Sequence, residues 1–276
     1  MHDLGFWEEI RAGDSGELIL AIDTPVTMES GEGFRELVSH LETRHAVWCA
    51  RERPVKKAAV TDAITFAEPW ISEIRDSGRR IRAVLGYGVG GIFAGVMAEA
   101  VARWQHTAPH VLLVDPELVD TETVCRQFCD MLSALSEVLT AEEFEELRRA
   151  GAAVSDAYDD DPRTLAGELS RLVCRVRDGA RTRDVPARGT ARTVLGTAGA
   201  RLFSLAIAES ANITASWAQG TALCSSSPDS GLNRARAALL LPEAAFVRTE
   251  ITFEDEHADV LKSPAVARAA SEIIAG

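Results

Sequence analysis

Short apolar segments alternate with helix-length amphipathic stretches along the 276-residue chain, and this alternation constrains the fold more than any other feature. Apolar runs that predict buried strands occupy residues 18–22, 45–50, 81–85 and 111–114. Helical patterns occupy residues 33–41, 68–77 and 91–104. Strands that alternate with helices in this way build a mostly parallel sheet with helices on both faces. We therefore predict an α/β fold.

The alternation of strand and helix patterns is interrupted between residues 120 and 195, where helical patterns and an acidic turn occur without a convincing strand. We predict a helical insertion over 120–196, flanked by two core segments, 1–119 and 197–276. In the second core segment the pattern predicts a helix over 198–211, strands over 213–224 and 245–252, and a last helix over 264–274.

Composition limits the function classes. With 46% hydrophobic residues the chain can bury one large core, and its net charge of −13 disfavours nucleic-acid binding. The five cysteines form no CxxC pair. The sequence has no basic N-terminal segment followed by an apolar run, and no apolar run is long enough to cross a membrane. We therefore expect a reduced, cytoplasmic protein without membrane contact. His106 and His110 have no acidic residue between them, and we predict neither a metal site nor a cofactor.

A glycine-rich turn, Gly-Tyr-Gly-Val-Gly-Gly, lies at residues 86–91 between a predicted strand and a predicted helix. Its frame matches the G-x-S-x-G turn that presents a nucleophile at a sharp strand-to-helix corner, but Gly88 stands at the serine position. Such turns also cradle phosphates, and Gly86, Gly88 and Gly91 formally match G-x-G-x-x-G. The mid-chain position and the absence of a strand-end acid about 20 residues later disfavour a dinucleotide site.

Residues 85–115 resemble the thioesterases that release or edit chains in nonribosomal peptide and polyketide synthesis, where GxSxGG opens a helix and a strand ends in Asp-Pro. The C-terminal FEDEHADVLKSPAVARAASEII resembles the segment of that family that bears the catalytic histidine. The resemblance implies an α/β-hydrolase fold with a helical lid and an acyl or peptidyl thioester substrate, which a carrier protein would present. It covers most of the chain apart from the lid.

The same resemblance assigns site residues. It places the vacated nucleophile position at Gly88, the histidine at His257 and the acid at Asp115. Asp229 is a second candidate acid, because stand-alone editing thioesterases often take the acid from that loop. The sequence leaves both candidates open. Either aspartate would fix the tautomer of the histidine and favour its protonated form.

The resemblance also implies an oxyanion hole. The backbone N–H of Val89 should supply one donor, because that donor depends only on the turn. The second donor normally comes from a glycine-rich loop, but this chain has Pro25 there, which lacks an N–H. Thr24 and Val26 are the remaining candidates for the second donor.

Glycine at position 88 excludes a covalent acyl-enzyme at that residue. Three interpretations follow: a His-Asp general base that performs non-covalent hydrolysis, epimerisation, elimination or cyclisation; a non-catalytic binder of an acyl chain or carrier protein; and an ordinary serine thioesterase with an engineered glycine. We favour the first. Tyr87 and the serines at 225–227 are interpreted as structural.

The predicted insertion carries two further features. Four apolar side chains at helical spacing suit either its core or the wall of an acyl-chain pocket: Val124, Phe128, Met131 and Leu132. Between residues 163 and 201 there are nine arginines against three acids. This basic stretch predicts either a solvated face or a docking surface for an acidic carrier protein. The candidate docking residues are Arg175, Arg177, Arg181 and Arg183.

Overall fold

The computed structural model describes residues 4–23, 33–51, 62–137, 139–179, 188–212, 214–228, 231–240 and 244–276. Within them one sheet of seven strands forms. The strands are Trp7–Arg11 (β1), Glu17–Asp23 (β2), Ala46–Ala50 (β3), Arg80–Tyr87 (β4), His110–Val114 (β5), Thr221–Cys224 (β6) and Thr249–Thr252 (β7).

The helices run between these strands. They are Gly33–His40 (α1), Ala63–Asp76 (α2), Gly90–Ala102 (α3), Thr121–Leu135 (α4), Ala141–Ala157 (α5), Pro162–Gly179 (α6), Arg188–Glu209 (α7), Thr214–Trp217 (α8), Gly231–Ala238 (α9) and Pro264–Ala275 (α10), with a 3-10 turn at Val260–Lys262.

The strand order is β1-β3-β2-β4-β5-β6-β7, in which only β1 pairs antiparallel to its neighbour. Side chains alternate between the two faces of the sheet. On β2, Leu18 and Leu20 pack with α2 and α3, whereas Ile19 and Ala21 pack with α1 and α10. Helices therefore cover both faces, which confirms the predicted fold class.

Helices α4 to α7 lie in sequence between β5 and β6. Helix α6 packs against α5 and α7, and α7 also contacts α2. The four apolar side chains noted on α4 are all buried in the core that α2 and α3 share. The predicted boundary between residues 196 and 197 falls inside α7.

One strand prediction was wrong, and one strand was not predicted. Residues 213–224 do not form one strand, because residues 214–217 form α8 and only β6 is extended. The helical turn allows the buried Trp217 to donate its indole N–H to the Gly91 carbonyl at 3.0 Å, which joins α8 to α3. The sequence also missed β1, an edge strand with charged residues in which Trp7 is fully buried.

No helix among the described residues has both the length and the apolar character needed to cross a membrane.

Candidate active site

Gly88 forms the apex of the turn between β4 and α3, with φ at +52°. This left-handed conformation strains any residue with a Cβ and suits glycine. The Gly88 N–H donates to the Val114 carbonyl, and the Gly88 carbonyl accepts from the N–H groups of Glu117 and Gly91, each at 3.1 Å. The apex is therefore fixed by backbone hydrogen bonds and presents no side chain.

Strand and helix approach each other closely beside this apex. A Cβ placed on Gly86 would lie 2.6 Å from the Gly91 Cα, so residue 86 tolerates no side chain. Helix α3 begins at Gly90, directly after the buried Val89. The unpaired N–H groups and the positive dipole end of a helix favour negative charge at its start. The start of α3 thus contributes a positive dipole end beside the apex.

The structure brings His257 to Asp115, with 2.6 Å between Nδ1 of the imidazole and Oδ2 of the carboxylate. Asp115 directly follows β5, at φ +43°, and its side chain is buried. His257 lies between β7 and the 3-10 turn, and its side chain is 27% exposed. A buried carboxylate holding a partly exposed imidazole is the arrangement in which an aspartate orients a general base.

The pKa of Asp115 is lowered from its ordinary value of 3.8. Burial alone would raise this pKa, but hydrogen bonds from His257 and Ser225 and the charge of His257 outweigh burial. Asp115 is therefore ionised near neutral pH. An ionised partner requires a proton on Nδ1 of His257, which leaves the Nε2 lone pair of the neutral ring as the acceptor.

Two serines that follow β6 hold the pair in place. The Ser225 hydroxyl donates to Asp115 Oδ2 at 2.7 Å, and the Ser225 N–H donates to Oδ1 at 3.2 Å. The Ser227 hydroxyl accepts from the His257 N–H at 3.0 Å and donates to the Glu256 carboxylate at 2.6 Å. The serines interpreted as turn formers thus also orient both members of the pair.

Tyr87, the last residue of β4, engages the other nitrogen of the imidazole. Its hydroxyl oxygen lies 3.1 Å from His257 Nε2 and 3.1 Å from the His257 carbonyl oxygen. The two rings stack, with 5.2 Å between centroids and an interplanar angle of 19°. A side chain interpreted from sequence as structural therefore contacts the candidate base directly.

A buried carboxylate lies close to the apex, on the side where a Gly88 side chain would project. The Glu117 side chain is 2% exposed, and one Arg126 nitrogen donates to both of its oxygens at 2.9 and 3.0 Å. A Cβ placed on Gly88 would lie 4.0 Å from Glu117 Oε2. No sequence motif signalled this pair, because a glutamate that follows Asp-Pro has no fixed chemistry.

Several predicted site residues lie outside the described residues: Thr24, Val26, Asp229, Arg181 and Arg183. Arg175 and Arg177 lie near the end of α6, where Arg175 is exposed and Arg177 pairs with Asp178 at 3.1 Å. In the described part of the chain no three His, Cys, Asp or Glu side chains cluster as metal ligands.

The strand order, with helices on both faces of the sheet, is the basis for comparison with known proteins. No protein-family model matches the chain, and a search of curated proteins finds no match. Among solved structures the likeness is to α/β-hydrolases, including thioesterases.

Three of these structures superpose over almost the whole chain. The NocB thioesterase domain from the nocardicin cluster has a TM-score of 0.53 and 13% identity, covering 99% of this chain and 100% of its own. The type II thioesterase BorB from the borrelidin biosynthetic cluster has a TM-score of 0.53 and 13% identity, and the match covers 100% of this chain and 98% of BorB. An α/β-hydrolase family protein from Desulfitobacterium hafniense, described as putative, has a TM-score of 0.53 and 14% identity, and the match covers 97% of this chain and 99% of that protein. At these identities the likeness establishes the fold.

Proposed function

We propose that the protein acts on an acyl or peptidyl thioester of natural-product biosynthesis and uses His257, held by Asp115, as a general base without a covalent intermediate. The observation that carries this proposal is the 2.6 Å hydrogen bond between the partly exposed imidazole and the buried, ionised carboxylate. An aspartate in this position orients the ring and stabilises the imidazolium that forms when the base accepts a proton.

We propose that Gly88 stands where related hydrolases carry the nucleophilic serine. Its place at the strand-to-helix apex supports this, and the missing side chain directs the chemistry to water or to an acidic C–H of the substrate. The backbone N–H of Val89 and the start of α3 would stabilise the oxyanion or enolate that results. Hydrolysis, epimerisation, elimination and cyclisation all fit these groups.

We assign the substrate class partly from the helices between β5 and β6. Helices α4 to α7 would act as a lid, because binding elements in α/β folds rise above the carboxyl ends of the strands. The NocB and BorB likenesses, both thioesterases of biosynthetic clusters, support a thioester substrate. No cofactor is needed for this chemistry.

A second candidate function is a non-catalytic binder of an acyl chain or carrier protein. The contact of the Tyr87 hydroxyl with His257 Nε2 favours it, because a base whose lone pair is already engaged is not free to accept a proton from substrate.

The two functions are separated by incubating the full chain with a hexanoyl N-acetylcysteamine thioester and with one enantiomer of an α-methyl acyl thioester. Product masses and enantiomeric composition are followed over time. We expect the thioester to be consumed, or its stereochemical purity to be lost, much faster with the protein than without it. The His257→Ala variant is the control for adventitious activity. Equal rates with and without the wild-type protein would contradict the catalytic proposal and favour the binder.

The basic stretch offers a carrier-docking surface. Replacing Arg175, Arg177, Arg181 and Arg183 with Ser should weaken the binding of an acidic carrier protein and flatten its salt dependence, because fewer charge contacts form. Binding at low and at physiological salt measures both effects. Arg148→Ser is the matched control, since Arg148 is an exposed arginine of α5 outside this stretch. Unchanged affinity and an unchanged salt slope would remove the docking surface.

A further inference from the structure

The imidazole of His257 has a polar partner on each nitrogen. Asp115 Oδ2 lies 2.6 Å from Nδ1, and the Tyr87 hydroxyl oxygen lies 3.1 Å from Nε2. The three side chains thus form the chain Asp115–His257–Tyr87. In a serine hydrolase the nucleophile hydroxyl takes the outer place of such a chain. Here that hydroxyl belongs to a phenol, from the residue immediately before the apex.

The protonation states follow from the surroundings. Asp115 is ionised, so Nδ1 carries a proton, and in the neutral form of the ring Nε2 is then an acceptor. Burial raises the pKa of Tyr87 above its ordinary value of 10.0, and the negative charges of Asp115, Asp23 and Glu117 raise it further, against a smaller opposing effect of Arg126. Tyr87 is therefore a neutral phenol whose O–H can point to Nε2 or to the His257 carbonyl.

We propose that Tyr87 is a catalytic residue that relays protons between His257 and a substrate-bound water. This inference rests on the proposed function, since it names the group through which the base reaches its substrate. Because a free phenolate is disfavoured among these carboxylates, the phenol gives up one proton only as it receives another. The relay thereby reconciles a working base with the contact that engages its lone pair.

In thioester hydrolysis a water molecule is the nucleophile. The water oxygen bonds to the thioester carbonyl carbon while one water O–H bond breaks and its proton moves to the Tyr87 oxygen. The Tyr87 O–H bond breaks in the same step, and its proton bonds to His257 Nε2. An imidazolium and a tetrahedral oxyanion result. When the oxyanion collapses, the C–S bond breaks, and the imidazolium proton returns through Tyr87 to the departing thiolate.

The test compares Tyr87→Phe with Tyr158→Phe, which alters the other tyrosine of the two in the chain and serves as the matched control. Turnover of the hexanoyl N-acetylcysteamine thioester should fall about 10²-fold in Tyr87→Phe and stay unchanged in the control. A plot of the rate against the fraction of heavy water in the solvent should be curved for the wild type, since two protons move together. The same plot should be linear for Tyr87→Phe. A structural role for Tyr87 would not change that curvature.

Several outcomes would overturn the relay. Wild-type turnover in Tyr87→Phe would show that the Tyr87 hydroxyl has no catalytic role. Faster turnover in Tyr87→Phe would show that this hydroxyl blocks the base. An acyl group found on Tyr87 by mass spectrometry would make it a nucleophile instead. In each of these cases an inactive His257→Ala variant would leave a role for the base intact, whereas full activity in His257→Ala would overturn the proposed function itself. Matching urea midpoints would verify that Tyr87→Phe is folded.

Discussion

Thioester turnover should fall by about 10³- to 10⁴-fold when Asp115 is replaced with Asn, and at least as far in His257→Ala. The amide has the size of the carboxylate, so the backbone can stay in place. However, the amide carries no charge to stabilise the imidazolium. Where it presents its N–H to Nδ1, it also favours the tautomer with the proton on Nε2, which removes the free lone pair of Nε2. Steady-state kinetics with the hexanoyl thioester measure the loss.

Asp130→Asn is the matched control for this variant, because Asp130 is an exposed carboxylate on α4. Its turnover should remain within a few-fold of wild type. If Asp115→Asn retained wild-type turnover while His257→Ala lost it, the imidazole would act without its buried partner, and the role of Asp115 would be structural.

The same substitution should change the pH dependence of stability. The pKa of Asp115 is lower in the folded protein than its ordinary 3.8, so its ionised form stabilises the folded state above that pH. This contribution is lost as pH falls through the lower, folded-state pKa. The difference in unfolding free energy between wild type and Asp115→Asn should therefore be largest near neutral pH and shrink below about pH 4.

Gly231→Ala should damage both stability and turnover, because Gly231 lies against the Asp115 carboxylate. A Cβ there would lie 2.3 Å from Asp115 Oδ1, and φ at Gly231 is +55°. The carboxylate accepts from Ser225 and His257, so it can move aside only by losing those hydrogen bonds. We expect a loss of about 1–3 kcal/mol beyond the backbone strain, together with a fall in turnover.

Gly78→Ala isolates the backbone strain. Gly78 has φ +64° with no atom within 4 Å of an added Cβ, so alanine there should cost about 1–2 kcal/mol and leave turnover unchanged. Urea unfolding and thioester kinetics on both variants make the comparison. Equal losses of stability at the two positions, with full activity in Gly231→Ala, would show that the carboxylate adapts and that its placement is less critical than we argue.

The sequence predicted the fold class because the central strands carry apolar runs, which in β4 begin after Arg82. Such runs in β2, β4 and β5 exist only where both sheet faces are covered. The edge strand β1 escaped prediction because pairing on one side leaves its charged side chains at least partly exposed, so it is not an apolar run. The α8 turn escaped because its packing of Trp217 on α3 is a tertiary contact that no local pattern signals.

The candidate site was predicted unevenly for a related reason. Gly88, Asp115 and His257 lie in motifs that a family resemblance can carry, and the structure then places Asp115 beside His257. Tyr87 lies in the first of these motifs and Glu117 lies two residues beyond its end, yet a tyrosine before a turn and a glutamate after Asp-Pro have no fixed chemistry in a sequence. Their meaning depends on the 3.1 Å contact with His257 and the 4.0 Å approach to the apex, which only the fold creates.

On our proposal, His257 works at a site that forms no covalent intermediate. Intact-mass spectrometry of the protein, sampled during turnover of the hexanoyl thioester, shows whether such an intermediate forms. We predict steady consumption of thioester with no added acyl mass on the wild-type protein, and no consumption above background with His257→Ala. An acyl adduct that forms and decays at the rate of turnover would show that catalysis is covalent.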